Sequence, residues 1–385
     1  MCPNLVLECV RMQITKLEPL HLGYWTYVKV HTDEEITGLG EAGLTGRAKT
    51  VEAAVKELER HLEGKNPLQI ESCWQTMYRQ TFFRGGPVLM AAISAVDIGL
   101  WDIFGKHMKL PIYELLGGKC RDRVRVYVHI GESPEEGLVD RAMATVKEGF
   151  TAIRWAPFGP DFQRMRFSRL LETATSQVKA VREAVGQDVD ICLDAHGRLQ
   201  PFEAVAMANE LGPYRVFFLE DPILPENVDA MADVARHTSI PIATGEMLYT
   251  IYEFEALLSR NAARMVRPDL SLAGGISQCR KIAAIAEAHY AGVVPHCPLS
   301  PISLAACLQL DAHIHNFALQ EYVRSELPPR SEVLSEPLEI DQGYLRVPEK
   351  PGLGVELNED ALRKYPYEPR DLPLLTREDG SIADW

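Results

Sequence analysis

Six ionisable residues, Asp194, Glu220, Glu246, Asp269, His296 and Glu321, follow one another at steps of 26, 26, 23, 27 and 25 residues, each at the end of a short apolar run. Such a step is one strand plus one helix, so the six side chains are expected on successive strands at the carboxyl end of a parallel barrel, where barrel enzymes assemble their chemistry. Asp194, Glu220 and Glu246 then crowd three carboxylates together, which repel unless they take up protons or share a cation. An all-oxygen set with room for water and substrate suits Mg²⁺ better than Zn²⁺. Asp269 and His296 make a general-base pair in which the carboxylate fixes the imidazole tautomer. His196, two residues beyond Asp194, shares its face if the strand continues, and offers a general acid across the metal. This set suits removal of a proton beside a substrate carboxylate, because a cation on the carboxylate oxygens stabilises the ene-diolate that results. Loss of a β-hydroxyl, assisted by His196, would leave a 2-keto acid, and Glu321 would hydrogen-bond the substrate carboxylate opposite the metal.

Singly, each of these residues has a plainer reading: strand-end carboxylates stabilise helix N-termini, and His196-Gly197 belongs to a turn if the strand has already ended. Other motifs carry less. Gly38-Leu39-Gly40-Glu41-Ala42-Gly43 spells G-x-G-x-x-G, but without a surrounding βαβ unit it reads as turn glycines. Gly274-Gly275 either opens an anion site at a helix start or makes a tight turn. Cys297 should face away from the neighbouring His296, which argues against a nucleophilic Cys-His pair.

Eight apolar runs position these residues: Val124–Ile130, Ala152–Phe158, Val189–Asp194, Val216–Glu220, Ile240–Glu246, Met265–Asp269, Val293–His296 and Phe317–Glu321. Seven helical segments alternate with them, among them Glu135–Glu148, Glu226–His237 and Ile276–Ala291. The expected fold is therefore α/β, a TIM-type (β/α) barrel over residues 123–325. Ahead of it, strand-like stretches at Leu5–Ile14, Tyr24–His31 and Ile36–Glu41 and helical patterns at 47–63, 71–82 and 88–105 make an α+β domain over 1–122. The Pro-rich segment 326–385 is expected to run back over that first domain.

With 385 residues, 46% of them hydrophobic, the chain has material for one large or two medium cores. Its net charge of −14, with no basic run, argues against nucleic acid as a partner and requires an anionic substrate to be attracted locally. Neither a signal peptide nor an apolar run of membrane-spanning length is read, and the eight cysteines form no C-x-x-C pair. A cytoplasmic chain with reduced thiols and no membrane partner is expected.

Leu193-Asp194-Ala195-His196-Gly197-Arg198, Pro295-His296-Cys297-Pro298-Leu299, Phe83-Arg84-Gly85-Gly86-Pro87, the stretch Gly46 to Ala54 and Pro351 to Glu356 together resemble the enolase superfamily. Within its mandelate racemase branch the chain is most similar to galactonate dehydratases and related acid-sugar dehydratases. The resemblance implies Mg²⁺ on Asp194, Glu220 and Glu246, proton abstraction by the Asp269–His296 pair, and His196 as the acid. It also implies a capping domain whose loops, around Leu17–Thr26 and Leu44–Arg47, select a sugar-acid substrate, with Arg154, Arg84, Arg47 and His21 as candidates to bind it. Homo-oligomers, often octamers, are usual in the group.

Three departures bear on the reaction. Racemases of the branch carry Lys-x-Lys on the second barrel strand, where this chain has Arg154-Trp155-Ala156, a set with no base that disfavours two-base racemisation. Asp221 follows Glu220 where a second glutamate is usual, and Arg267 stands two residues before Asp269 where relatives place a neutral side chain. Alternatives to the dehydratase are an epimerase or cycloisomerase working through the same ene-diolate, and a retired enolase-fold protein kept for binding.

Overall fold

The computed structural model describes residues 12–131, 137–159 and 161–384. The first domain is built on an antiparallel sheet of β1 (Ile14–Leu22), β2 (Trp25–Thr32) and β3 (Thr37–Ala42), covered by α1 (Ala48–Leu62), α2 (Ile70–Arg79) and α3 (Pro87–Met108), with α4 (Ile112–Leu116) leading out. The first strand among the described residues is Ile14–Leu22; of the expected Leu5–Ile14, residues 5–11 lie outside the described residues. Its alternation is hidden by a bulge between Ile14 and Lys16, so the buried Ile14, Leu17 and Leu22 fall out of simple period two. The segment Leu17–Thr26, expected as a substrate-selecting loop, is instead a hairpin turning at Gly23.

The glycines of β3 serve packing rather than turns. A Cβ on Gly40 would come within 1.9 Å of Ala95 O, and one on Gly38 within 1.9 Å of Gly99 O, so β3 lies against the α3 backbone. Among the described residues α3 is the one helix long and apolar enough to cross a membrane, by length and composition, although its sequence carries Asp97, Asp102 and Lys106. It is a core helix, with 78% of its apolar window buried.

All eight expected barrel runs are present, seven of them shorter than read and the first shifted by one residue: β4 (Arg123–His129), β5 (Ala152–Trp155), β6 (Asp190–Asp194), β7 (Phe218–Glu220), β8 (Ile242–Thr244), β9 (Met265–Val266), β10 (Gly292–Val293) and β11 (Gln320–Tyr322). Between them run α5 (Leu138–Lys147), α6 (Phe167–Val185), α7 (Pro201–Leu211), α8 (Val228–His237), α9 (Ile251–Ser259), α10 (Gly275–Ala288) and α11 (Pro301–His313). Parallel pairing runs in order from β4 to β10, and β11 returns to β4. A single bridge, Val293 to Phe317, joins β10 to the stretch leading into β11. Inward-facing Tyr127, Ala152, Cys192, Phe218, Ala243, Val294 and Leu319 fill the barrel as one apolar cluster, a plugged interior that leaves the chemistry to the strand ends.

The cap and the barrel interlock through helix N-termini. Asp97 Oδ2 accepts from Ser277 N (3.0 Å), Ser94 Oγ accepts from Gly274 N (2.8 Å), and a Cβ on Gly275 would strike the Asp97 side chain. The Gly274-Gly275 start is therefore filled by the Asp97 carboxyl of the cap, which burial pushes up to about 7. The C-terminal segment packs on both domains. Its β12 (Ile340–Asp341) and β13 (Tyr344–Arg346) extend the sheet beyond β4, and Gly352 bonds to Leu110 and Ile112 of the cap. After α12 (Glu359–Lys364), Tyr365 O and Glu368 N bond to Gly23 at the hairpin turn. The hairpin of β14 (Leu375–Thr376) and β15 (Ile382–Ala383) then reaches the barrel, where Arg164 and Arg166 bond to Thr376 and Glu378.

Candidate active site at the carboxyl ends of the barrel strands

Asp194 and Glu220 end β6 and β7 and stand opposite each other in the parallel register. Glu246 follows two residues after β8, and ligand oxygens of the three carboxylates lie within 4.8 Å of one another. Asp194 and Glu220 are fully buried. Burial, then the charges of Glu246 and Glu321, push the Glu220 carboxyl up despite Arg267 and Arg154 nearby. Its Oε2 is buried with no hydrogen-bond partner among the described residues. Crowded oxygens, one of them orphaned, fit a hard cation, and the donor set contains no sulfur or nitrogen.

Asp269 and His296, beyond β9 and β10, face each other across a parallel bridge, with His296 Nδ1 2.9 Å from Asp269 Oδ2. The carboxylate accepts, so Nδ1 carries the proton and Nε2 is left toward Glu246 Oε2, 3.4 Å away. Burial alone would lower the His296 pKa; the carboxylates of Glu246, Glu321 and Asp269 outweigh it and hold it up to about 10. A cation that neutralised Glu246 would remove the largest of these, freeing the imidazole to act as a base near neutral pH.

His196 reaches the site by another route than the one expected. β6 ends at Asp194, and His196 has φ of 50° in the following turn, its backbone N–H donating to Asp194 Oδ1 (2.8 Å). The left-handed residue folds the ring back, so that Nε2 lies 3.1 Å from Asp194 Oδ2 and 3.1 Å from Arg154 Nη2. Burial and then the Arg154 and Arg198 cations lower its pKa to about 2, which keeps the ring neutral here. His196 therefore stands at the Asp194 end of the trio and His296 at the Glu246 end.

Arg154 is buried in this ring, paired with Asp194. Glu321 has its oxygens engaged: Oε1 with His129 Nε2 (2.8 Å), and Oε2 with Arg267 Nη2 (2.7 Å) and Cys297 N (2.8 Å). Against the cost of burial, Arg267, His296 and His129 hold its carboxyl well below the usual range. Arg267, fully buried, has Nε 2.5 Å from Glu220 Oε1, so it links a candidate ligand to Glu321 and does not pair with Glu246. His129, at the end of β4, is absent from the sequence reading, because the run Val124–Ile130 extends one residue past the observed strand and puts Ile130 at its end. His21 bonds to Glu52 Oε2 (2.9 Å) within the cap, while Arg47 and Arg84 are exposed on cap turns. No hydrogen bond or ion pair among the described residues joins these three side chains to the barrel ring.

The Enolase C-terminal domain-like family profile matches residues 137–361, and that of the mandelate racemase / muconate lactonizing enzyme N-terminal domain matches 9–117. The D-galactonate dehydratase of Xanthomonas oryzae pv. oryzae (strain PXO99A) is 41% identical, covering 97% of this chain and 100% of that protein. The protein of the same name from Variovorax paradoxus (strain S110) is 40% identical over the same shares. Among solved structures, an enolase from Agrobacterium radiobacter bound to sodium and L-malate superposes with a TM-score of 0.92 at 31% identity, covering 96% of this chain and 99% of that one. An enolase superfamily member from Salmonella Typhimurium gives 0.88 at 30%, covering 92% and 98%. Matched along both domains in sequence and in shape, this chain belongs to the mandelate racemase / muconate lactonizing enzyme family of the enolase superfamily.

Proposed function

We propose that this protein is a Mg²⁺-dependent acid-sugar dehydratase, a hydro-lyase acting on an aldonate of the galactonate type. The observation that carries the reading is the trio Asp194, Glu220 and Glu246 flanked by two differently supported imidazoles, His296 on Asp269 and His196 on Arg154. These three carboxylates would hold the cation, which supplies the positive charge that makes a proton beside a carboxylate removable. His296 Nε2, freed by the Nδ1 bond to Asp269, takes the proton from C2. The electron pair left on C2 forms the C2–C3 double bond as the C3–O bond breaks, and His196 gives a proton to the departing hydroxyl. The enol so formed tautomerises to a 2-keto-3-deoxy acid. Burial first, then the Arg154 and Arg198 cations, keep the His196 ring neutral without substrate; for this step it has to gain a proton, and an anionic substrate beside Arg154 would offset only that cation's share of the bias. Glu321 in this reading acts through its partners: as a carboxylate it orders His129 and Arg267, and a direct bond to a substrate carboxylate would need a proton that the Arg267 cation disfavours.

The full-length galactonate dehydratase relatives support the aldonate, and the sodium and malate bound by the Agrobacterium structure support a cation beside a hydroxy acid. The buried Arg154 has no free base to offer, which favours elimination over racemisation. His21, Arg47 and Arg84 remain proposed substrate contacts of a closed cap, and a cytoplasmic homo-oligomer is proposed on the family pattern. Incubation with D-galactonate and Mg²⁺ is expected to yield 2-keto-3-deoxygalactonate, and EDTA to stop it. A folded, metal-loaded protein that turned over neither this nor any other aldonic or aldaric acid would overturn the reading.

A further inference from the structure

The capping domain is usually assigned to substrate choice, yet one of its buried carboxylates grips the barrel beside the general base. Glu41, on β3, is fully buried. Its Oε1 accepts from Ser300 N (3.0 Å), and its Oε2 accepts from Ser300 Oγ (2.6 Å) and Ser303 N (2.9 Å). Ser300 caps α11 and lies four residues beyond His296. Ser303 Oγ is 2.9 Å from Ser271 Oγ, and Ser271 N donates to Asp269 Oδ1 (2.7 Å), the oxygen opposite the one facing His296. Two residues after Glu41, Gly43 N donates to Ser271 O (2.8 Å). One cap strand thus holds both loops that carry the dyad, at Ser300 and Ser303 on the histidine side and at Ser271 on the aspartate side. Glu41, Ser271, Ser300 and Ser303 are all buried, so these bonds are sheltered from competing water.

We propose that Glu41 is a positioning residue for the Asp269–His296 pair, acting through Ser303 and Ser271 to set the separation and orientation of the two side chains. The inference rests on the dehydratase reading for its kinetic consequence, though not for its structural one. A catalytic pair has to be held within about 0.5 Å of its working geometry by residues that are themselves fixed by packing and hydrogen bonds. A cap seated on the barrel through Glu41 couples its docking to the alignment of the base. Contiguity by itself does not establish coupling, so the test measures it.

Glu41→Gln replaces an accepting oxygen with a donor facing donors, and Ser303→Ala removes only the hydroxyl link to Ser271. With D-galactonate and Mg²⁺, both variants are expected to lower kcat at least tenfold while KM and the Mg²⁺ dissociation constant stay within twofold. The double variant should lose less than the product of the single losses, because both act on one chain of bonds. A kcat within twofold of wild type in both variants, or losses that simply multiply, would overturn the proposal, as would a parallel collapse of kcat, KM and metal affinity. Amide hydrogen exchange separates this from the fate of the reaction itself, since it needs no substrate. In Ser303→Ala, which spares the Glu41 bonds should Glu41→Gln fold poorly, exchange is expected to quicken in segment 269–273, across the missing hydroxyl bond. Unchanged protection there sinks the linkage even if galactonate is turned over, whereas quickened exchange with no turnover of any sugar acid leaves the linkage standing and removes the dehydratase.

Discussion

Arg267 puts a permanent cation inside the barrel, beneath the acidic trio and over the Tyr127 ring, with its centroid 5.7 Å away. Its two carboxylate partners, Glu220 and Glu321, sit on opposite sides of the site, one with the candidate metal ligands and one with His129 and the base. Removing one partner of a buried ionic group leaves uncompensated charge, at a cost of about 3–5 kcal/mol. Arg267→Met is therefore expected to lose stability of that order by urea denaturation, and to lose less when Mg²⁺ is present to offset Glu220. An unchanged midpoint in both conditions would show that Arg267 carries no such role. At this scale the chain was readable where spacing spoke: six strand-end residues converge as their steps require. Arg267 was visible as an oddity, but its partners depend on reach across the barrel lumen, which spacing does not encode. His196 shows the reverse. Its place in the site was foreseen for a reason that does not hold, because a left-handed turn, not a continuing strand, delivers the ring.

The close approach of β3 to α3 belongs to the scale of elements. Gly40→Ala places a methyl group 1.9 Å from a helix carbonyl oxygen, so strand and helix must separate. Overpacking of this kind costs about 1–3 kcal/mol, and the denaturation midpoint should fall accordingly. Because β3 also carries Glu41, turnover should decline with it; full stability and activity in this variant would mean that the contact relaxes freely. Sequence patterning located the barrel strands and the cap helices well, since their apolar periodicity survives in short windows. It left out β1 over Ile14–Leu22, where a bulge and Pro19 break the alternation. It also read the β3 glycines as turns, since close approach between two elements leaves no mark on either one's own period.

Across the whole molecule, the proposed cation site would link ion binding to folding. A ligand that binds the folded state alone stabilises it by about 2.7 kcal/mol at a hundredfold excess over its dissociation constant. Added Mg²⁺ is expected to raise the melting temperature of the wild type, and Glu220→Gln to abolish most of that rise; equal shifts in both proteins would place the ion elsewhere. The docking of cap on barrel through Asp97, Ser94 and Glu41 was not legible from the chain, because carboxylates aimed at distant helix starts obey no local spacing. Nor was the final course of the C-terminal segment, which was expected on the cap and also braces the barrel at Arg164 and Arg166.

The claim on which everything else depends is that His296, beside a cation on Asp194, Glu220 and Glu246, removes the proton from C2. Turnover of D-galactonate carrying deuterium at C2, by the Mg²⁺-loaded wild type and by His296→Asn, tests it directly. The wild type is expected to turn over the deuterated substrate more slowly when proton removal limits the rate, and the variant to lose about 10²–10⁴-fold, the usual worth of a general base. A folded His296→Asn that formed keto acid at the wild-type rate would contradict it.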